Sequence, residues 1–229
     1  MNNYNINVMN LQQNVKITAT SSHSLFLDAT HLKAPLLSVQ KKIWALVKRC
    51  KATSAFIDIV PAMNSLTLYL ANSDDSKQWQ AKLLLWWETT EIDENKGTHH
   101  KIITQYGGNF GADLDYIAQY HGITTQRVIE LHTSVTYHVL FLGFQPGFTY
   151  LHGLPNELET PRRSEPRNHV PKGSVAIGAD QTGIYPADSP GGWHIIGHTD
   201  FSLFDWQKSP PSAIAPGDTL QFISDEALS

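Results

Sequence analysis

The sequence predicts an α+β protein in two parts, a regular α/β domain over residues 1–96 followed by a β-rich barrel or sandwich over residues 97–229. Three observations predict it. All 15 glycines lie at or after Gly97, and 10 of the 12 prolines lie at or after Pro146, so the two parts make different demands on the backbone. Apolar residues recur at both helical and strand spacing before Gly97, whereas short apolar runs alternate with glycine and proline after Leu142. At 229 residues the chain is long for one ordinary domain and short for two.

In the first part, Val15, Ile17 and Ala19 alternate as a strand does, as do Leu66, Leu68 and Leu70, and residues 56–60 form a further apolar run. Leu36, Val39, Ile43, Val47 and Cys50 fall on one helical stripe. Trp79, Leu83, Trp86 and Trp87 fall on another, after Asp74 and Asp75, which can cap it. The order strand, helix, strand, strand, helix suggests a split βαβ unit of the ferredoxin-like kind. Asn95-Lys96-Gly97 marks the break, and strand-like residues 101–106 and a Gly107-Gly108 turn follow it. Two short helices are expected next, Asp113 to Tyr120 and Thr125 to His132, before a strand from Val135 to Leu142.

Composition narrows the function. Charged residues at 17% and a formal charge of −4 describe a globular chain without the basic footprint of a nucleic-acid binder. No apolar run reaches the roughly 18 residues of a membrane span, and the polar start at Asn2, Asn3, Asn5 and Asn7 lacks a signal-peptide core. Cys50 is the single cysteine, which leaves no disulfide framework and makes a cytoplasmic location the expectation.

Residues 143–199 hold 9 of the glycines and 7 of the prolines, the composition of rigid, irregular loops. Three of the five arginines, Arg162, Arg163 and Arg167, fall between Pro161 and Asn168 and read as an anion-binding loop. Lys172-Gly173-Ser174 follows, with donors able to meet a phosphate or carboxylate. His132 and His198 are the acid/base candidates. His194 and His198 are expected on one strand face, without a third ligand for a metal. Among the aromatics, Phe144 is assigned to the core, and Tyr150 and Trp193 to a pocket or interface, with Tyr185 a further lining residue.

The strings YGGNFGADL (106–114), GFQPGFTYLHGLP (143–155), PRRSEPRNHVPKGSVAIG (161–178), YPADSPGGWHIIGHT (185–199) and APGDTLQF (215–222) resemble the family that contains the 5-oxoprolinase B-subunit and the Kip-type inhibitor of a sporulation histidine kinase. Its members are also labelled allophanate hydrolase subunit 1 or carboxyltransferase subdomains C and D. The resemblance implies a cyclophilin-like barrel after the α/β domain. It also implies work as one member of an ATP-dependent 5-oxoprolinase complex, which opens 5-oxoproline to glutamate, inactive without its companions. Those companions are a second cyclophilin-like subunit and the barrel-type A-subunit of 5-oxoprolinase. A regulatory protein that binds a histidine kinase is the alternative. The catalytic expectation rests on His132, Arg162, Arg163 and Arg167, and the substrate-binding one on Tyr150, Lys172, Ser174, Tyr185, Trp193 and His198. ATP enters through the complex, since the chain has no P-loop string. The family usually has arginine where this chain has His198, and proline where it has Ala112.

Overall fold

The computed structural model describes residues 15–92 and 97–225. The chain divides into two compact units, Met1–Asn95 and Lys96–Ser229. The polar start and the Asn95-Lys96 break lie outside the described residues.

The first unit runs β1 (Lys16–Ser21), β2 (Ser24–Asp28), α1 (Leu36–Lys51), β3 (Phe56–Ala62), β4 (Ser65–Leu70) and α2 (Ser76–Thr89). Its antiparallel sheet has the order β1-β2-β4-β3. Strands β2 and β3, joined through α1, run parallel with β4 between them, which is the split βαβ unit of a ferredoxin-like layer. The edge beside β2 is filled by β1, from the amino-terminal side. Strand β2 is an addition to the order read from the sequence. It is five residues long and follows a turn without glycine, so its alternation at Leu25 and Leu27 gives a weak signal.

The apolar stripes go where their spacing sends them. Leu25, Leu27, Leu66 and Leu68 of the sheet pack with Val39, Ile43, Val47 and Cys50 of α1 and with Trp79, Leu83, Trp86 and Trp87 of α2. At about 25 cal/mol per Å² of apolar area, this burial is the main force holding the layer together. Asp75 stands at the α2 N-cap without a side-chain bond, and Asn72 instead caps the single 3-10 turn before the helix through Asp74 N–H. Burial pushes the Cys50 thiol up to about 12, so this side chain is a packing group rather than a nucleophile.

The second unit contains β5 (His99–Tyr106), α3 (Leu114–His121), α4 (Thr125–Thr133), β6 (Tyr137–Leu142), β7 (Thr149–His152), β8 (Arg167–Val170), β9 (Ser174–Gly178), β10 (Gln181–Ile184), β11 (Ser189–Gly191), β12 (His194–His198) and β13 (Thr219–Ser224). Seven strands close into a barrel in the order β10-β7-β6-β13-β5-β12-β9, which decides between barrel and sandwich. Among the described residues, β5 and β13 are the one strand pair that runs parallel. Strands β8 and β11 form a separate two-stranded ribbon.

Alternation along β9 sorts its side chains to two cores. Val175 and Ile177 join the main core with Ile102, Val139 and Phe222 and with Ile117, Val128 and Leu131 from the two helices. Ala176 faces the other way, into a second cluster with Phe148, Val170, Tyr185, Trp193 and Ile195. Gly122 ends α3 at φ 66°, a left-handed cap that glycine adopts without strain.

Candidate functional site

The arginine loop is fastened by a residue the sequence reading did not select. Asp113, at the N-cap of α3, makes no capping bond with its side chain. Its carboxylate turns to the loop instead. Oδ1 accepts from Arg163 Nη1 at 3.1 Å and Arg167 Nη2 at 2.8 Å, and Oδ2 accepts from Arg167 Nη1 at 2.8 Å and from the Ile195 N–H at 2.7 Å. A carboxylate has about four acceptor positions, and Asp113 fills them. Backbone bonds from Arg163 N–H to Gly192 O and from Asp113 N–H to Ile195 O complete the attachment.

Of the three arginines expected to make an anion-binding loop, two have a carboxylate partner within the chain. Arg163 and Arg167 are committed to Asp113, so their guanidiniums hold the loop in place. Arg162 makes no hydrogen bond or ion pair among the described residues. Its guanidinium lies over the Trp193 ring, 5.7 Å from the ring centre.

Below Arg162 the second cluster forms a chain of rings. Phe148 meets Tyr185, Trp193 and Tyr150 edge-on at 5.1, 5.5 and 4.9 Å, and Phe141 stacks on Tyr150 at 4.3 Å. Two assignments change places. Trp193 is 5% exposed and belongs to the packed cluster, whereas Phe144 is 61% exposed at its edge. Tyr150 is half-buried and reaches the surface, while Tyr185 is buried. Burial raises both phenols, and the nearby Arg162 charge opposes that rise in each. Gly178 makes room for the Trp193 ring, since a Cβ there would fall 2.6 Å from it.

The backbone of the Lys172-Gly173-Ser174 step offers no open N–H to an anion. Its three backbone donors are in use: Lys172 N–H to Asp188 Oδ1 at 2.7 Å, Gly173 N–H to Tyr185 O at 2.7 Å and Ser174 N–H to Pro171 O at 3.2 Å. The Ser174 side chain is buried. Gly173, at φ 82°, allows the close approach of His198, whose Nε2 would lie 2.6 Å from a Cβ. Lys172 itself is exposed.

His132 sits inside the barrel with no exposed surface. Its Nδ1 is 2.8 Å from Tyr106 Oη and its Nε2 is 3.0 Å from Thr182 Oγ1. Burial pushes its pKa down to about 3, so the ring is neutral near pH 7. It joins the core hydrogen bonding, away from the surface where an acid or base would act. A bulge between Ile195 and Gly197 separates His194 from His198. His194 pairs with Ile177 and His198 with Ser174, positions on opposite faces of β9, so the expectation of a shared face is corrected.

His198 reaches a cavity of about 320 Å³ lined by Lys101, Ile103 and Gln105 of β5, by residues 198–201 and by Asp225. The ring is held by an Nε2 contact to Lys172 O at 3.1 Å, with Phe110 beside it at 5.6 Å. The Nδ1 atom is 3.9 Å from Asp200 Oδ1. Gln105 Nε2 donates to Asp225 Oδ2 at 3.2 Å. The cavity therefore offers one ammonium, two carboxylates, an imidazole and an amide around the apolar Ile103 and Phe201. Lys101 and Gln105 carried a legible signal, since they alternate with core residues Ile102 and Thr104 and must point outward. Asp225 carried none. Among the described residues no group of three His, Cys, Asp or Glu side chains is placed to hold a metal, and no helix is long and apolar enough to cross a membrane.

The chain thus joins a ferredoxin-like unit to a closed barrel that carries a proline-bounded arginine loop. The chain belongs to the family described as carboxyltransferase domain, subdomain C and D, whose model matches residues 15–214. It is 45% identical over 188 residues to the 5-oxoprolinase B-subunit of Escherichia coli O157:H7, covering 82% of this chain and 86% of that protein. It is 41% identical over 184 residues to the protein of the same name from Haemophilus influenzae, covering 80% and 86%. Among solved structures, TTHA0988 aligns with 88% of this chain at 28% identity and a TM-score of 0.75, but the match spans only 39% of the longer TTHA0988 chain. Kluyveromyces lactis urea amidolyase shares the fold, with a TM-score of 0.76 at 18% identity over 93% of this chain and 15% of that one.

Proposed function

We propose that this chain is one member of an ATP-dependent 5-oxoprolinase complex that opens 5-oxoproline to glutamate with ATP hydrolysis. The observation that carries the reading is the 45% identity to a 5-oxoprolinase B-subunit over 82% of the chain. The cavity beside His198 supports it, being of a size suited to a small ring with polar substituents. In this reading Lys101 meets the substrate carboxylate, Phe201 and Ile103 flank the ring, and Gln105, Asp200 and His198 surround the lactam N–H and C=O. Tyr150 and Arg162, on the surface of the other cluster, face a companion subunit rather than the substrate.

The nucleotide falls to the companions. The sequence has no P-loop, and the backbone donors of residues 172–174 are already bonded within the chain. Ring opening with ATP needs a phosphate clamp and a positioned lactam in one place, so a chain that supplies only the second is inactive alone. Reconstitution with a second cyclophilin-like subunit and the barrel-type one tests this: turnover requires all the components.

A further inference from the structure

Phe144 combines exposure with a rare backbone. Its φ is 65°, a region bulky side chains seldom occupy. The Gln145 N–H donates to Gly143 O across it at 2.7 Å, which makes the strained form of a γ-turn. The turn is held from both sides. Gly143 N–H reaches Phe148 O at 3.3 Å, Phe148 N–H reaches Gln145 O at 3.0 Å, and Gln145 Nε2 reaches Ala187 O and Ser189 Oγ, both at 3.4 Å. The effect is to present an aromatic ring that is 61% exposed, braced edge-on by Phe148 and Tyr185 at 5.5 and 6.3 Å. Backbone strain of this kind, maintained by the surrounding structure, clusters at functional sites such as ligand clamps and switch regions.

We infer that Phe144, Tyr150 and Arg162 form the surface on which a companion subunit docks, with an apolar side chain of that subunit over the two rings and a carboxylate of it on Arg162. The identity of the partner rests on the function proposed above.

Composition and charge select this occupant. Aromatic rings around one guanidinium are the residue types that dominate interface energies. Arg162 is held ready over Trp193, while Arg163 and Arg167 are fixed to Asp113. The Arg162 guanidinium has no hydrogen bond or ion pair among the described residues, and its open donors call for an anion. A two-fold contact between copies centred here would bring Arg162 against Arg162 without a counter-charge, which disfavours a second copy. In the TTHA0988 structure the matching region makes up 39% of a longer chain, so the same fold there has further polypeptide joined to it.

The test is assembly of the full chain with its companion subunits, measured by titration calorimetry for the wild type, R162E, F144N and the control Y120S, which alters an exposed residue of α3. Asparagine accepts a positive φ, so F144N keeps the turn while removing the ring. Arg162→Glu and Phe144→Asn are each expected to weaken association at least tenfold and Tyr120→Ser to leave it within twofold, with unchanged melting of the isolated R162E chain. Equal affinity of wild type, R162E and F144N for a companion would overturn the surface while leaving the functional reading intact. Self-association of the wild type lost in R162E would assign the surface to a second copy instead. If no companion binds even the wild type, both this inference and the reading it rests on fail.

Discussion

Asp113 accepts both terminal nitrogens of Arg167 at 2.8 Å, tying the start of α3 to the start of β8 across 54 residues. With Arg163 and the Ile195 N–H as its other donors, this buried carboxylate is where three separate segments of the barrel unit meet. Removing one partner of a buried ion pair typically costs about 3–5 kcal/mol, because the other charge is left without compensation. Asp113→Asn is therefore expected to lose about 3 kcal/mol in denaturant unfolding. Arg163→Ala removes one partly exposed bond to Asp113 and one exposed bond to Glu165 O, leaves the Arg167 pair in place, and should lose about 1 kcal/mol. Equal effects of the two would show that Asp113 does not organise the loop.

His132 gives the fold a pH dependence. Its folded pKa is about 3, against about 6.5 in an unfolded chain. Between these values the unfolded state binds the extra proton, so the stability this group contributes is full above pH 6.5 and is lost as pH falls toward 3. At pH 5 the loss amounts to about 2 kcal/mol by linkage. The variant His132→Gln has no such proton to bind. Its stability between pH 6.5 and 5 should fall less steeply than that of the wild type, and parallel profiles would contradict the assignment.

Two left-handed glycines should respond differently to alanine. At Gly122 a Cβ would meet open space, so Gly122→Ala bears only the φ penalty, about 1 kcal/mol. At Gly173 the Cβ would also fall 2.4 Å from Thr199 O and 2.6 Å from His198 Nε2. Gly173→Ala should cost more than about 3 kcal/mol, in the range of buried steric conflicts, or displace His198 from Lys172 O. Comparable melting temperatures for the two variants would show that the loop yields easily.

The cavity residues should separate binding from assembly. In the reconstituted enzyme Lys101→Ala is expected to raise KM for 5-oxoproline about tenfold, the effect of losing one charge-assisted bond, with little change in subunit association. An unchanged KM would remove the cavity from the substrate site.

Much of the fold could be read from periodicity, because regular elements bury regular stripes. Val39, Ile43 and Val47 announce α1, and Val175 and Ile177 lie in the core while Ala176 lies in the second cluster. Strand β2 escaped because five residues with two inward leucines make a short pattern. The site was less legible. Three arginines between prolines flagged the loop, but nothing near Asp113 shows that its carboxylate is spent on Arg163 and Arg167, 50 and 54 residues later. Residue type placed Phe144 in the core and Trp193 in a pocket or interface. Backbone strain and the room left by Gly178 reversed both, and neither can be read from residue type.

The proposed role of this chain is an essential part, inactive by itself, of a 5-oxoproline-opening enzyme. The most direct measurement is 5-oxoproline-dependent ATP hydrolysis by purified companion subunits, with and without this chain, with glutamate counted as product. With that role, no glutamate is expected from the chain alone or from the companions alone, and glutamate is expected in step with ATP consumed when all are combined. Full turnover by this chain in isolation, or turnover by the companions that is indifferent to its presence, would contradict it.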